Sequence, residues 1–156
     1  MSIQSLQLGG EIVRRAHAKG HNVSNLSLQK LAYFCHGWNL ALFNKPLVTE
    51  QFEAWKFGPV LPSLYHSFKP FGSSAIPANH TFLETIPRID GESLEASLID
   101  RIVDVYGGFS SFQLVELSHR ADGPWYPVYH DDSTVNGEIG NDKIREYFAG
   151  LSNRKP

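Results

Sequence analysis

The sequence predicts a mainly α fold of six or seven helices, with a small extended or β element around residues 47–57, all within one compact domain. Three observations predict it. Apolar residues recur at helical spacing in several separate stretches, above all 28–43 and 92–106. Gly and Pro punctuate the chain between those stretches, at Gly58-Pro59, Gly72, Gly107-Gly108 and Gly123-Pro124. The one run with β character is the short, aromatic-rich segment at 52–57, FEAWKF. With 156 residues, 42% of them hydrophobic, the chain can build one sizeable core, and no internal repeat or low-complexity tract divides it. The domain is read over 1–156, with its core at about 28–148, an N-terminal helix within 1–20 and a tail at 150–156 that should fray.

Taken in order, Ile3, Leu6, Ile12, Val13 and Ala16 form the stripe of a first helix, although Gly9-Gly10 cost it about 1 kcal/mol each relative to Ala. Residues 20–26 make a turn, and Ser27 stands as the cap of the strongest helix, 28–43. On a helical wheel Leu28, Leu31, Phe34, Cys35, Trp38, Ala41 and Leu42 share the side expected to be core. Gln29, Lys30, Tyr33, His36 and Gly37 take the opposite, polar side. Pro46 ends this helix and Leu47-Val48 leave it extended. Pro62 opens a short helix over 63–69, which Pro70 and Gly72 stop. Residues 73–90 read as a long loop with local extended pieces, the segment expected to be most mobile.

Leu94, Leu98, Ile102 and Tyr106, flanked by Ile99 and Val103, then define an amphipathic helix over 92–106, with Glu92, Glu95, Asp100, Arg101 and Asp104 on its polar side. Ser110 or Ser111 caps a short helix, 112–120, carrying Phe112, Leu114, Val115 and Leu117. The chain turns through 121–127, and Asn141 is expected to cap a last helix with Ile144, Tyr147 and Phe148 inward.

Composition excludes several functions. Lys and Arg number 14 against 16 Asp and Glu, a formal charge of −2, so no bulk positive charge is there to hold a nucleic-acid backbone unaided. The charge is uneven: residues 1–78 carry 7 Lys/Arg against 3 Asp/Glu, whereas 79–156 carry 7 against 13. Such a dipole either steers a charged partner or pairs the two halves internally. Cys35 is the single cysteine, which leaves no intramolecular disulfide and fits a reducing cytoplasm. No leader and no apolar run near membrane-spanning length is present, so neither export nor a membrane is expected.

Chemistry-bearing patterns are equally sparse. His17 and His21 have the spacing of a helical pair but lack a third ligand, and Gly20 interrupts them, so no metal is expected. Cys35 and His36 are adjacent and point about 100° apart on a helix, which denies the thiol its base. There is no GxSxG, P-loop or GxGxxG, and no cofactor is expected. The contrasting class, a small hydrolase-like enzyme using His66 and His119, rests on residue type alone.

Four segments carry a resemblance: LQKLAYFCHGWNLAL at 28–42, EAWKFGPVLPSLYHSF at 53–68, SSFQLVELSHRADGPW at 110–125 and IREYF at 144–148. Together they resemble the Panacea domain family, the antitoxin SocA-like, phage-associated domain. Ser118-His119 followed by Pro124-Trp125 matches its hydroxyl, histidine, proline-tryptophan signature. The resemblance implies an antitoxin that binds and neutralises a cognate toxin encoded nearby. A second role it implies is an adaptor that delivers the toxin to a ClpXP-type protease. Many relatives carry a further DNA-binding domain; no such module is expected here, and so no nucleic acid is expected as a partner.

The candidate partner-binding residues follow from local chemistry. Phe57, Gly58, Pro59 and Val60 form a stiff apolar segment that either anchors a partner or merely carries the chain into the next helix. Tyr65 and His66, one turn on, share that ambiguity. Lys30 on the expected polar side of the major helix is a candidate for meeting an acidic patch, of a toxin or of residues 92–104. His119 is expected near a helix end with Trp125 packed beneath it, and a partner-binding role for Trp125 is the alternative.

Overall fold

The computed structural model describes residues 2–153. In order along the chain they form α1 (Ser5–Ala18), α2 (Asn25–Phe43), β1 (Phe52–Trp55), β2 (Gly58–Val60), α3 (Pro62–Phe68), α4 (Thr81–Glu84), α5 (Leu94–Tyr106), α6 (Ser111–Ser118), α7 (Trp125–Tyr129), β3 (Glu138–Ile139) and α8 (Asn141–Ser152). A 3-10 turn, Lys69–Phe71, extends α3. The expected mainly α architecture with a small β element is present, and the one-turn α4 and α7 bring the helices to eight among the described residues. The expected turn at 121–127 thus winds into α7. The expected fraying at 154–156 lies outside the described residues, and α8 carries the chain helically through 150–152.

The helix α2 is the axis of the domain: α1, α3, α5, α6, α8 and β2 all pack against it. Its cap is Ser24, whose hydroxyl accepts from Ser27 N–H, so the helix begins before the Ser27 expected from sequence. Because neighbours surround it, the expected polar side is sealed: Gln29, Lys30, Tyr33, His36 and Gly37 are all buried. Leu42, assigned to the core side, is instead exposed, as are Leu94 on α5 and Phe112 on α6. Leu42 and Leu94 line one surface cleft beside Trp38 and Tyr106.

Several buried polar groups on α2 have partners far away in sequence. His36 Nε2 bonds Asn141 Oδ1 at 2.9 Å, while its Nδ1 accepts from Val48 N–H at 3.5 Å. Asn141 is therefore a tether for α2; the cap of α8 is Gly140. Burial lowers the His36 pKa, the Asn141 contact opposing it. Against the same helix, Phe148 of α8 stands edge-on to Tyr33, Phe34 and Trp38.

Part of the charge asymmetry is spent inside the domain. Arg15 of α1 and Lys19, which caps its end, meet Asp100 of α5 at 3.2 Å, and Lys19 also meets Asp104 at 2.9 Å. The internal meeting of halves is thus between α1 and α5, with Lys30 taking no part. Glu11 is fully buried and held by Arg88 at 2.6 Å and Arg15 at 3.1 Å; burial alone would raise its pKa, but these hydrogen bonds prevail and lower it. Arg88 belongs to the long connection at 73–90, which is strapped down further by Arg14 bonds to the Leu83 and Ile86 carbonyls and by burial of Ile76, Leu83 and Ile86.

Candidate functional site

The segment Phe57, Gly58, Pro59 and Val60 supplies the end of the turn and the second strand of a β-hairpin. Strands β1 and β2 pair antiparallel with Glu53 opposite Val60, Ala54 opposite Pro59 and Trp55 opposite Gly58, leaving Lys56-Phe57 as a two-residue turn. Gly58 has φ +114°, a conformation that a side chain would strain. Strand β3 pairs on the other edge of β1, opposite Phe52 and Glu53. Alternation along β1 sorts the side chains: Phe52 and Ala54 are buried, while Glu53 and Trp55 are partly exposed.

The inner side of the hairpin is closed by a polar-aromatic cluster. Lys30 Nζ, fully buried on α2, donates to Pro59 C=O at 2.8 Å, and Gln29 Oε1 accepts from Leu61 N–H at 3.0 Å. A Cβ on Gly58 would lie 2.6 Å from both Lys30 Cε and Ser118 Oγ, so the three residues are packed with no space between them. Among the described residues no carboxylate pairs with the Lys30 ammonium, and burial lowers the Lys30 pKa to about 7. Trp125 is buried, donates Nε1–H to Trp55 C=O at 2.8 Å, and stacks on His119 with centroids 3.8 Å apart and planes 7° from parallel. Tyr129 also stacks on Trp125, at 4.7 Å. Burial lowers the His119 pKa, and the positive charges of Lys30 and His130 add to the effect; its Nε2 is buried with no hydrogen-bond partner among the described residues.

The outer side is open. Phe57 at the turn is 57% exposed, and Lys56 Nζ lies 5.5 Å from its ring centroid. Trp55 and Tyr65 meet edge to face at 5.0 Å, and Val60 closes the floor of a cleft of about 560 Å³ between the hairpin, α3 and the N-terminus of α2. Lys56 and Lys69 stand on its walls.

The structure therefore divides the eight candidate residues. Phe57, Val60 and Tyr65 line one cleft, whereas Lys30, Gly58, Pro59, His119 and Trp125 build the support beneath the hairpin. This corrects the placement of Lys30, which is inaccessible from the surface. His66 is exposed beside Trp55, its ring centroid 6.3 Å away, while His119 lies on Trp125; no hydrogen bond or ring contact joins the two histidines among the described residues. Trp55, Lys56 and Lys69 of the cleft and Ser118 of the support were missed as site residues. Period-two alternation in FEAW was the available signal for Trp55. Among the described residues no helix is long and apolar enough to cross a membrane.

Comparison with known proteins agrees with these motifs. Residues 28–126 match the family described as antitoxin SocA-like, Panacea domain. That span contains α2, the hairpin and α3, and closes at Trp125-Tyr126. The chain is also 37% identical over 145 residues to Antitoxin SocA of Caulobacter vibrioides (strain NA1000 / CB15N), covering 87% of this chain and 76% of that protein. No solved structure matches. A hairpin sealed on α2 by Lys30 below and by Trp125 from the side is what the matched span encodes here, and on these similarities the chain belongs to the antitoxin SocA-like, Panacea domain family.

Proposed function

We propose that this protein is an antitoxin that acts in the cytoplasm and neutralises a cognate toxin, encoded nearby, by direct binding through the open side of the β1–β2 hairpin. The observation that carries the reading is a large aromatic, Phe57, held out at the tip of a hairpin whose other side is fixed by buried contacts. A rigid aromatic anchor of this kind loses little conformational entropy when it binds. Occlusion of the toxin needs no catalytic group, no cofactor and no metal.

The test is to express each neighbouring gene alone and together with this one. A neighbour that arrests growth alone, is harmless in the pair and co-purifies at fixed stoichiometry supports the reading. Toxin that disappears only when a ClpXP-type protease is present makes the protein an adaptor. No toxic or bound neighbour refutes both.

A further inference from the structure

The cleft beside Phe57 has a chemistry of its own. Its walls are Trp55, Phe57, Tyr65 and Val60, and the charged side chains that line it are Lys56 and Lys69, with no carboxylate among them. Neither lysine has an ion-pair partner among the described residues. The hairpin's own carboxylate, Glu53, is held on Trp55 Nε1 at 2.9 Å and does not line the cleft. The N-terminus of the 19-residue helix α2 opens into the same space and adds its positive end.

The amides that line the cleft are already spent. Asn25 Nδ2 donates to Tyr65 C=O at 3.1 Å, Gln29 Nε2 donates to Asn25 Oδ1 at 3.0 Å, and Gln29 Oε1 accepts from Leu61 N–H. A nucleobase needs free donors and acceptors along its edge, and these side chains offer few. An apolar side chain needs only the aromatic walls, and acidic neighbours on the same segment would meet the two lysines.

We propose that the cleft takes an acidic segment of the toxin that carries a large apolar side chain, the apolar group seated between Trp55, Phe57 and Tyr65 and the flanking carboxylates on Lys56 and Lys69. This rests on the antitoxin reading above and specifies the partner's chemistry. Lys56 and Lys69 then set specificity and association rate, and Phe57 sets the lifetime of the complex.

The experiment measures binding of the co-purifying neighbour-encoded protein to the full-length chain and to Lys56→Glu/Lys69→Glu, with Lys143→Glu on α8 as the charge control and thermal melts to confirm folding. Overlapping short peptides of that neighbour are probed in parallel. The expected result is binding weakened about tenfold or more in the double variant, unchanged in the control, with a salt dependence that the double variant loses. Wild-type protein should select peptides with Asp or Glu around an aromatic or aliphatic residue. If the wild type neutralises the neighbour but the double variant binds equally well, or the selected peptides are basic, the cleft assignment is overturned while the antitoxin reading survives. Saturable binding of ATP that the double variant abolishes would reassign the cleft to nucleotides. If no neighbour is bound by the wild type, both readings fail together.

Discussion

The β1–β2 hairpin is closed where it meets α2, Ser118 and Trp125, yet open around Trp55 and Phe57. Inside, Lys30, Gly58 and Ser118 leave no space, and Lys30 and Trp125 bond the backbone at Pro59 and Trp55. Outside, Trp55, Phe57 and Tyr65 face a cleft. The difference teaches where the rigidity of a small hairpin comes from. Two strands of four and three residues are marginal alone. Hydrogen bonds from α2 and from the Trp125 indole fix the backbone, so the outer side chains are presented in one arrangement before any partner arrives.

Substitutions on the two sides should therefore separate stability from binding. The largest loss is expected for Trp125→Ala, which removes a buried indole, its bond to Trp55 C=O and its stacks with His119 and Tyr129; about 3–5 kcal/mol should be lost in urea unfolding. A loss below about 1 kcal/mol would contradict the sealed side as described. Gly58→Ala comes next, at about 1–3 kcal/mol by the same assay, because a Cβ at φ +114° meets Lys30 and Ser118.

Lys30 gives the comparison a pH signature. Its folded pKa of about 7 lies below its ordinary 10.5, so between these values the unfolded chain binds more protons than the folded one. Stability should rise as pH increases from about 7 towards 10.5, and Lys30→Met should remove this component of the slope. Urea midpoints across that range decide it, and an unchanged slope in the variant would place the titration elsewhere. On the acid side His36 and His119 have lowered values, so neutral rings favour the folded state, and stability should fall as pH drops below the ordinary 6.5. The smallest effect on folding is predicted for Phe57→Ala, within about 0.5 kcal/mol, because the side chain is exposed. The same change should weaken partner binding, measured by calorimetry; equal affinity would remove Phe57 from the interface.

Much of the helical framework was legible because its signals are local. Ser110 caps α6 by accepting from Gln113 N–H, and Pro62 opens α3, whereas α5 begins at Leu94 behind a Ser93 cap, two residues later than its periodicity suggests. The environment of α2 was not legible. Periodicity marks a polar side without saying whether water or protein meets it, and here the partners lie far away: Pro59 is 29 positions from Lys30, Leu61 is 32 from Gln29, and Asn141 is 105 from His36. Strand β3, two residues long, carries no readable pattern. Of the site, Phe57, Val60 and Tyr65 could be named from composition and motif. Lys69 could not, because only the packing of α3 on α2 brings it to the hairpin.

One contact also orders the events of biosynthesis. Gly37 lies against the Phe148 ring so closely that a Cβ would have no room, and that ring fills a socket between Tyr33, Phe34 and Trp38. Helix α8 follows every other described element along the chain, so during translation the socket stays empty after the hairpin and its support have already emerged. Until α8 docks, the axial helix bears an aromatic-lined hollow on its flank.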